Sequence, residues 1–109
     1  MLPKKNRLSG KKVAQLKKQA RPINFFGFGL IFLKNKINEP RFGLIISKKI
    51  DKRAVVRNRL KRLFLQAIKQ NLNKFKPGDY LFLVKRVCLK KRLEQIEDML
   101  LDFLNKPEN

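Results

Sequence analysis

Histidine and tryptophan are absent from the 109 residues, cysteine occurs once, and acidic residues number 8 against 28 Lys and Arg. Without histidine there is no zinc cluster by the usual ligand spacings, and the commonest general base is missing. No close carboxylate pair and no glycine-rich phosphate loop is present, so neither acid–base nor protein-held metal catalysis has visible machinery, and no small-molecule substrate is expected. A lone Cys88 allows no internal disulfide, which suits a reducing interior, and its simplest role is that of a buried strand-end residue. No run approaches the roughly 18 apolar residues needed to span a bilayer. The opening "MLPKKNRLSGKK" has no apolar core of the kind a signal peptide carries. The expectation is a cytoplasmic protein without a membrane partner.

What the chain does have is positive charge, a formal net +20. Charge that far from zero works against a compact state by self-repulsion unless a polyanion is close. Disorder is the competing explanation for such charge, but disorder needs few large apolar residues, and here 43% are hydrophobic with nine Phe. The length fits one domain, residues 1–109, with one core. The cations are unevenly placed. Residues 1–93 hold 27 of them against only Glu39, Asp51 and Asp79, whereas Glu94, Glu97, Asp98, Asp102 and Glu108 outnumber Lys106 in the remainder. The C-terminal end is therefore expected to face away from the polyanion.

Hydrophobic periodicity gives the elements. Residues 9–19 suit a short basic helix with Ser9 as N-cap, ended before Pro22. "FFGFGLIFL" (25–33) reads as a strand with Phe26, Phe28, Leu30 and Phe32 on one face, and "KNKINEP" (34–40) as a turn. "RFGLIIS" (41–47) follows as a second strand, antiparallel to the first if the connection is a hairpin. From about Asp51 to Leu72, Val56, Leu60, Leu63, Phe64, Ala67 and Ile68 fall on one helical arc. "KPGD" (76–79) signals a turn, "YLFLVKR" (80–86) a third strand, and Leu93, Ile96, Leu100, Phe103 and Leu104 a final amphipathic helix. The order αββαβα makes helices on a small sheet the expected architecture.

On the central helix Asn58, Arg59, Arg62, Gln66 and Lys69 occupy the arc opposite the core positions, and Arg57 and Lys61 form a separate stripe at its edge. Charged helix faces usually just meet water, but such faces mix signs, and no acid lies between Asp51 and Asp79. Four Arg between positions 53 and 62 add geometry to attraction, because the guanidinium fork bonds phosphate bidentately and stacks on bases. Charge alone does not separate RNA from DNA.

The stretch "RFGLIISKKIDKRAVVRNRLKR" (41–62) resembles the signature of the bacterial ribonuclease P protein subunit, an "RNR" helix following an apolar strand and a "KK" pair. Strand, Ser47-Lys48-Lys49, Ala54-Val55 and Arg57-Asn58-Arg59-Leu60-Lys61-Arg62 stand in register, and "KNRL" (5–8) is similar to the family's usual opening. The resemblance implies an α+β sandwich of αβββαβα order, with a small mixed sheet and a left-handed βαβ crossover, against the usual rule. It also implies a third strand between residues 24 and 47.

By the same resemblance Lys48, Lys49, Arg53, Arg57, Asn58, Arg59, Lys61 and Arg62 bind RNA, the partners are the catalytic RNA and precursor tRNA, and magnesium is held mainly by the RNA. The implied activity is that of the non-catalytic subunit of an endoribonuclease that removes the 5′ leader, which lies in a cleft between sheet and helix. Leu65 stands where many relatives carry Arg, shortening the Arg57 and Lys61 stripe. Relatives line the cleft with aromatic residues of the first helix, where this chain has Val13, Ala14 and Leu16. Phe32 and Phe28 are the candidates to replace them, core packing being the alternative for both. A ribosomal rRNA-binding protein, a nucleoid DNA binder and a protein-only nuclease are the rival readings.

Overall fold

The computed structural model describes residues 2–105; Lys106 and Glu108, counted above with the acidic end, lie outside the described residues. Ser9 caps the first helix, α1 (Gly10–Gln19), its hydroxyl accepting the Lys12 N–H at 3.2 Å. The expected single strand at 25–33 is two strands, β1 (Ile23–Phe25) and β2 (Phe28–Leu33), paired antiparallel. Gly27 divides them: its φ of +93° is open to glycine at little cost, and the turn puts Phe26 in solvent rather than on the face of Phe28. This supplies the third strand that the resemblance implied.

After β3 (Pro40–Ile45) come α2 (Ala54–Gln70), β4 (Gly78–Val84) and α3 (Leu93–Leu104). The sheet order is β1-β2-β4-β3. β2 and β3 are therefore not a hairpin: β4 lies between them, antiparallel to β2 and parallel to β3. The composition of β4 suits its central place, because "YLFLV" is apolar on both faces. Tyr80, Phe82 and Val84 face one helical layer while Leu81 and Leu83 face the other. β3, α2 and β4 form the parallel βαβ unit, and the class is α+β.

α2 and α3 cover one face of the sheet. Phe28, Phe64 and Phe82 are fully buried there, with the Phe28 and Phe82 rings 5.0 Å apart, edge to face. α1 covers part of the other face, burying Leu16 on Ile31 and Leu81 and bringing Val13 against Gly43. The "KNRL" segment runs beside β3: the Leu8 N–H donates to the Phe42 carbonyl at 2.9 Å, and Asn6 Nδ2 to the Pro40 carbonyl at 2.7 Å. Among the described residues, no helix is long and apolar enough to cross a membrane.

Asp79 ties the α1 face together. It is 1% exposed, accepts two hydrogen bonds from Arg41 at 2.8 and 2.9 Å and one from Asn35 at 2.9 Å, and lies 4.0 Å from Lys12 of α1. A buried carboxylate is tolerable only with such pairing, so strands and helix are held by one shared anion.

Candidate nucleic-acid interface

The helix α2 buries Leu60, Phe64, Ala67 and Ile68 against the sheet, and this fixes which side chains are left outside. Asn58, Arg59, Lys61 and Arg62 are exposed, as are Lys48, Lys49 and Arg53 in the segment leading into the helix. Arg59 and Arg62 have no hydrogen-bond or ion-pair partner among the described residues. No acid occupies the first turn of α2, and its N-cap, Arg53, offers no side-chain cap; the Asp51 carboxylate, just before the helix, is the one negative group at this end among the described residues.

Arg57 behaves differently from its neighbours. It is half-buried, and its Nη1 donates to the carbonyls of Asp51 and Lys52, both at 2.9 Å. Arg53 forms a bidentate pair with Asp51 at 3.0 and 2.8 Å, and its backbone N–H donates to Asp51 Oδ1 at 2.9 Å. Those hydrogen bonds, led by the Arg53 guanidinium, hold the Asp51 carboxyl down at about 2. Arg86, beyond β4, donates to the Lys49 carbonyl. The basic segment is thus pinned by three arginines. Arg86 carries no signal in local sequence, because only the fold brings it to Lys49.

Of the two phenylalanines proposed for a leader cleft, Phe28 requires correction and takes the core alternative. Phe28 and Phe32 lie on the face that α2 and α3 cover, whereas α1 packs on the opposite face, where Ile31 and Leu33 point. Strand alternation enforces this, since residues two apart share a side. Phe28 is wholly buried between Phe25, Phe64, Phe82 and Phe103, leaving no ring face for a base. Phe32 is 38% exposed, but its ring packs on Tyr80 at 4.8 Å and over Gly78 at the far end of the sheet. The sheet surface beside α1 is aliphatic instead, with Ile45 and Leu83 half-buried and Val13, Leu81 and Leu8 around Gly43.

Leu65 is half-buried against the main core, so this position of the Arg57 and Lys61 stripe faces inward. Cys88 is buried as expected, but in a 3-10 turn (Arg86–Lys90) rather than at a strand end; its thiol donates to the Gly27 carbonyl at 3.1 Å, and burial pushes its pKa up to about 11. Among the described residues, no group of three or more Asp, Glu, His or Cys converges as a metal site.

Comparison with known proteins supplies what charge and geometry leave open. A family model described as Ribonuclease P matches residues 2–108. The ribonuclease P protein component of Fusobacterium nucleatum is 42% identical over 87 residues, covering 78% of this chain and 75% of that protein. That of Pelotomaculum thermopropionicum is 35% identical over 80 residues, covering 72% and 70%. In fold, the chain is similar to a Staphylococcus aureus RNase P protein mutant (TM-score 0.81, 23% identity, 93% of this chain and 86% of that one). It is equally similar to the Thermotoga maritima RNase P protein (TM-score 0.80, 21% identity, 94% and 98%). With a family match along nearly its whole length and the RNR helix displayed on the family's fold, the chain belongs to the ribonuclease P protein family, the protein subunit of a ribonucleoprotein endoribonuclease that processes tRNA.

Proposed function

We propose that α2 and the Ser47–Arg53 segment dock on the catalytic RNA of ribonuclease P, and that the aliphatic sheet surface beside α1 receives the single-stranded 5′ leader of precursor tRNA. The carrying observation is that Arg59 and Arg62 stand exposed on α2 with no protein partner among the described residues, beside exposed Asn58 and Lys61. In a chain of net charge +20, such cations stay crowded at lowest cost when phosphates lie among them.

The RNA partner follows from the family. In this reading Lys48, Lys49, Arg53, Asn58, Arg59, Lys61 and Arg62 contact RNA, and Arg57 acts mainly by holding the segment in place. Leader contacts at the α1 face are apolar and lack aromatic stacking. In this reading magnesium is held mainly by the RNA, and the protein contributes by screening RNA against RNA and by holding the leader. The working location is the cytoplasm, where precursor tRNA is made.

Reconstitution tests this. The chain, its candidate catalytic RNA and a precursor tRNA are mixed at low magnesium. The expected product is a mature tRNA 5′ end bearing phosphate, at magnesium concentrations where the RNA alone is slow. No stimulation, or equal stimulation by an unrelated basic protein, would refute the reading.

A further inference from the structure

One part of α2 is not explained by phosphate contact. Val55 is 70% exposed in the first turn of the helix, in the middle of the basic surface. With the half-buried Val56 and Leu63 it floors a shallow concavity of about 480 Å³ whose remaining lining is Arg59 and Arg62. The spacing is helical: Arg59 stands one turn after Val55 and Val56 and one turn before Arg62 and Leu63, so its stem runs between two apolar pairs. A phosphate has no use for an aliphatic floor, and an exposed β-branched residue in the first turn gains the helix nothing.

We infer that this concavity is a seat for one unpaired nucleotide of the RNA, its base lying on Val55 and Leu63 between the Arg59 and Arg62 guanidinium groups. The inference rests on the RNA-docking reading above and adds a base-level contact to it. Charge complementarity calls for an anionic occupant, because every polar group lining the concavity is a cation, and the docking reading makes that anion RNA. The apolar floor selects an unstacked base, which presents a π-face that aliphatic groups cover and guanidinium planes stack on. A base inside an A-form helix is unavailable, since both its faces are stacked on neighbouring bases, so the nucleotide comes from a loop, bulge or junction.

The test compares Val55→Ser with Arg59→Ala in titrations of the catalytic RNA over a range of salt. Val55 is exposed, so the serine variant should melt with the wild type. It should bind roughly fivefold to tenfold more weakly, as losing part of a valine side chain's apolar burial against the base implies, with an unchanged log-log salt slope. Arg59→Ala should lower the slope by about 0.7 to 0.9. Chemical probing of base edges should show one unpaired nucleotide protected by the wild type and reactive with Val55→Ser. Equal affinity of wild type and Val55→Ser, or identical protection by both, overturns the seat and leaves phosphate contact alone. A wild-type chain with no preference for this RNA over a random RNA of equal length overturns the docking reading as well.

Discussion

Arg57 and Arg59 sit two residues apart in one motif and do different work. A wheel drawn from sequence separates them into two stripes, but only coordinates show that Arg57 turns its guanidinium onto the Asp51 and Lys52 carbonyls. Replacing Arg59 and Arg62 together by Ala should therefore lower the salt slope of RNA binding by about 1.4 to 1.8, whereas Arg57→Ala should lower affinity with a smaller change of slope; titration over a range of salt reads both. Asp51 has a folded pKa of about 2, below its ordinary 3.8, so its contribution is present above about pH 4 and lost as pH falls through 2. Asp51→Asn should flatten the stability–pH curve in that window and lower stability by a constant amount at neutrality, where the wild-type contribution is complete, as acid titration of unfolding would show. Gly27 is tightly constrained: φ is +93° and an added Cβ would come within 2.4 Å of Met99 Sδ. Gly27→Ala should cost about 1–3 kcal/mol, measurable by denaturant unfolding. Phe28 and Phe32 show where residue-level reading stops, since alternation placed them on a common face but could not say which helix covers it.

At the scale of elements, α2 and α3 were legible from their long apolar periods, and α1, whose apolar face is thin, from the Ser9 cap at its start. Strand pairing was not. Two apolar runs joined by a short polar segment suggest a hairpin, yet β4, nearly 40 residues further on, takes the place between them, a pairing that local pattern does not announce because β2, β3 and β4 all carry apolar residues on both faces. The Lys34–Glu39 connection manages the wider span with Asn38 in left-handed backbone and with Asn35 bonded to the Glu39 carbonyl and Asp79. The basic segment before α2 is likewise a tertiary product. Arg86 holds it from beyond β4, so Arg86→Ala should weaken RNA binding, and in a double-mutant cycle its effect should shrink when Lys48 and Lys49 are already Ala. Additive losses would mark Arg86 as an independent phosphate contact. Asp79→Ala removes the anion shared by Arg41, Asn35 and Lys12. The expected loss is about 2–3 kcal/mol, below the ~3–5 typical of fully buried pairs, because Arg41 keeps 25% of its side chain in water.

Across the whole molecule the charge is polar: cations dominate up to residue 93, while Glu94, Asp98 and Asp102 are exposed on α3. That asymmetry was readable from residue counts alone, and it predicts a behaviour. Reversing these three acids to Lys should leave stability nearly unchanged, since all are exposed, but raise the number of RNA molecules bound at low salt and reduce preference for the catalytic RNA. Stoichiometric titration at two salt concentrations would show it. The strand order carries a different consequence, for synthesis rather than for binding. Because β4 fills the gap between β2 and β3, a nascent chain that has exposed only residues up to about 77 holds two strands with no neighbour between them and an α2 with no completed sheet to lie on. Native structure must wait until Val84 has left the exit tunnel, and its formation will be slow for so small a protein, being limited by insertion of a distant strand. Until then the facing edges of β2 and β3 stay unpaired, and an unfinished chain is more open to aggregation than the finished one.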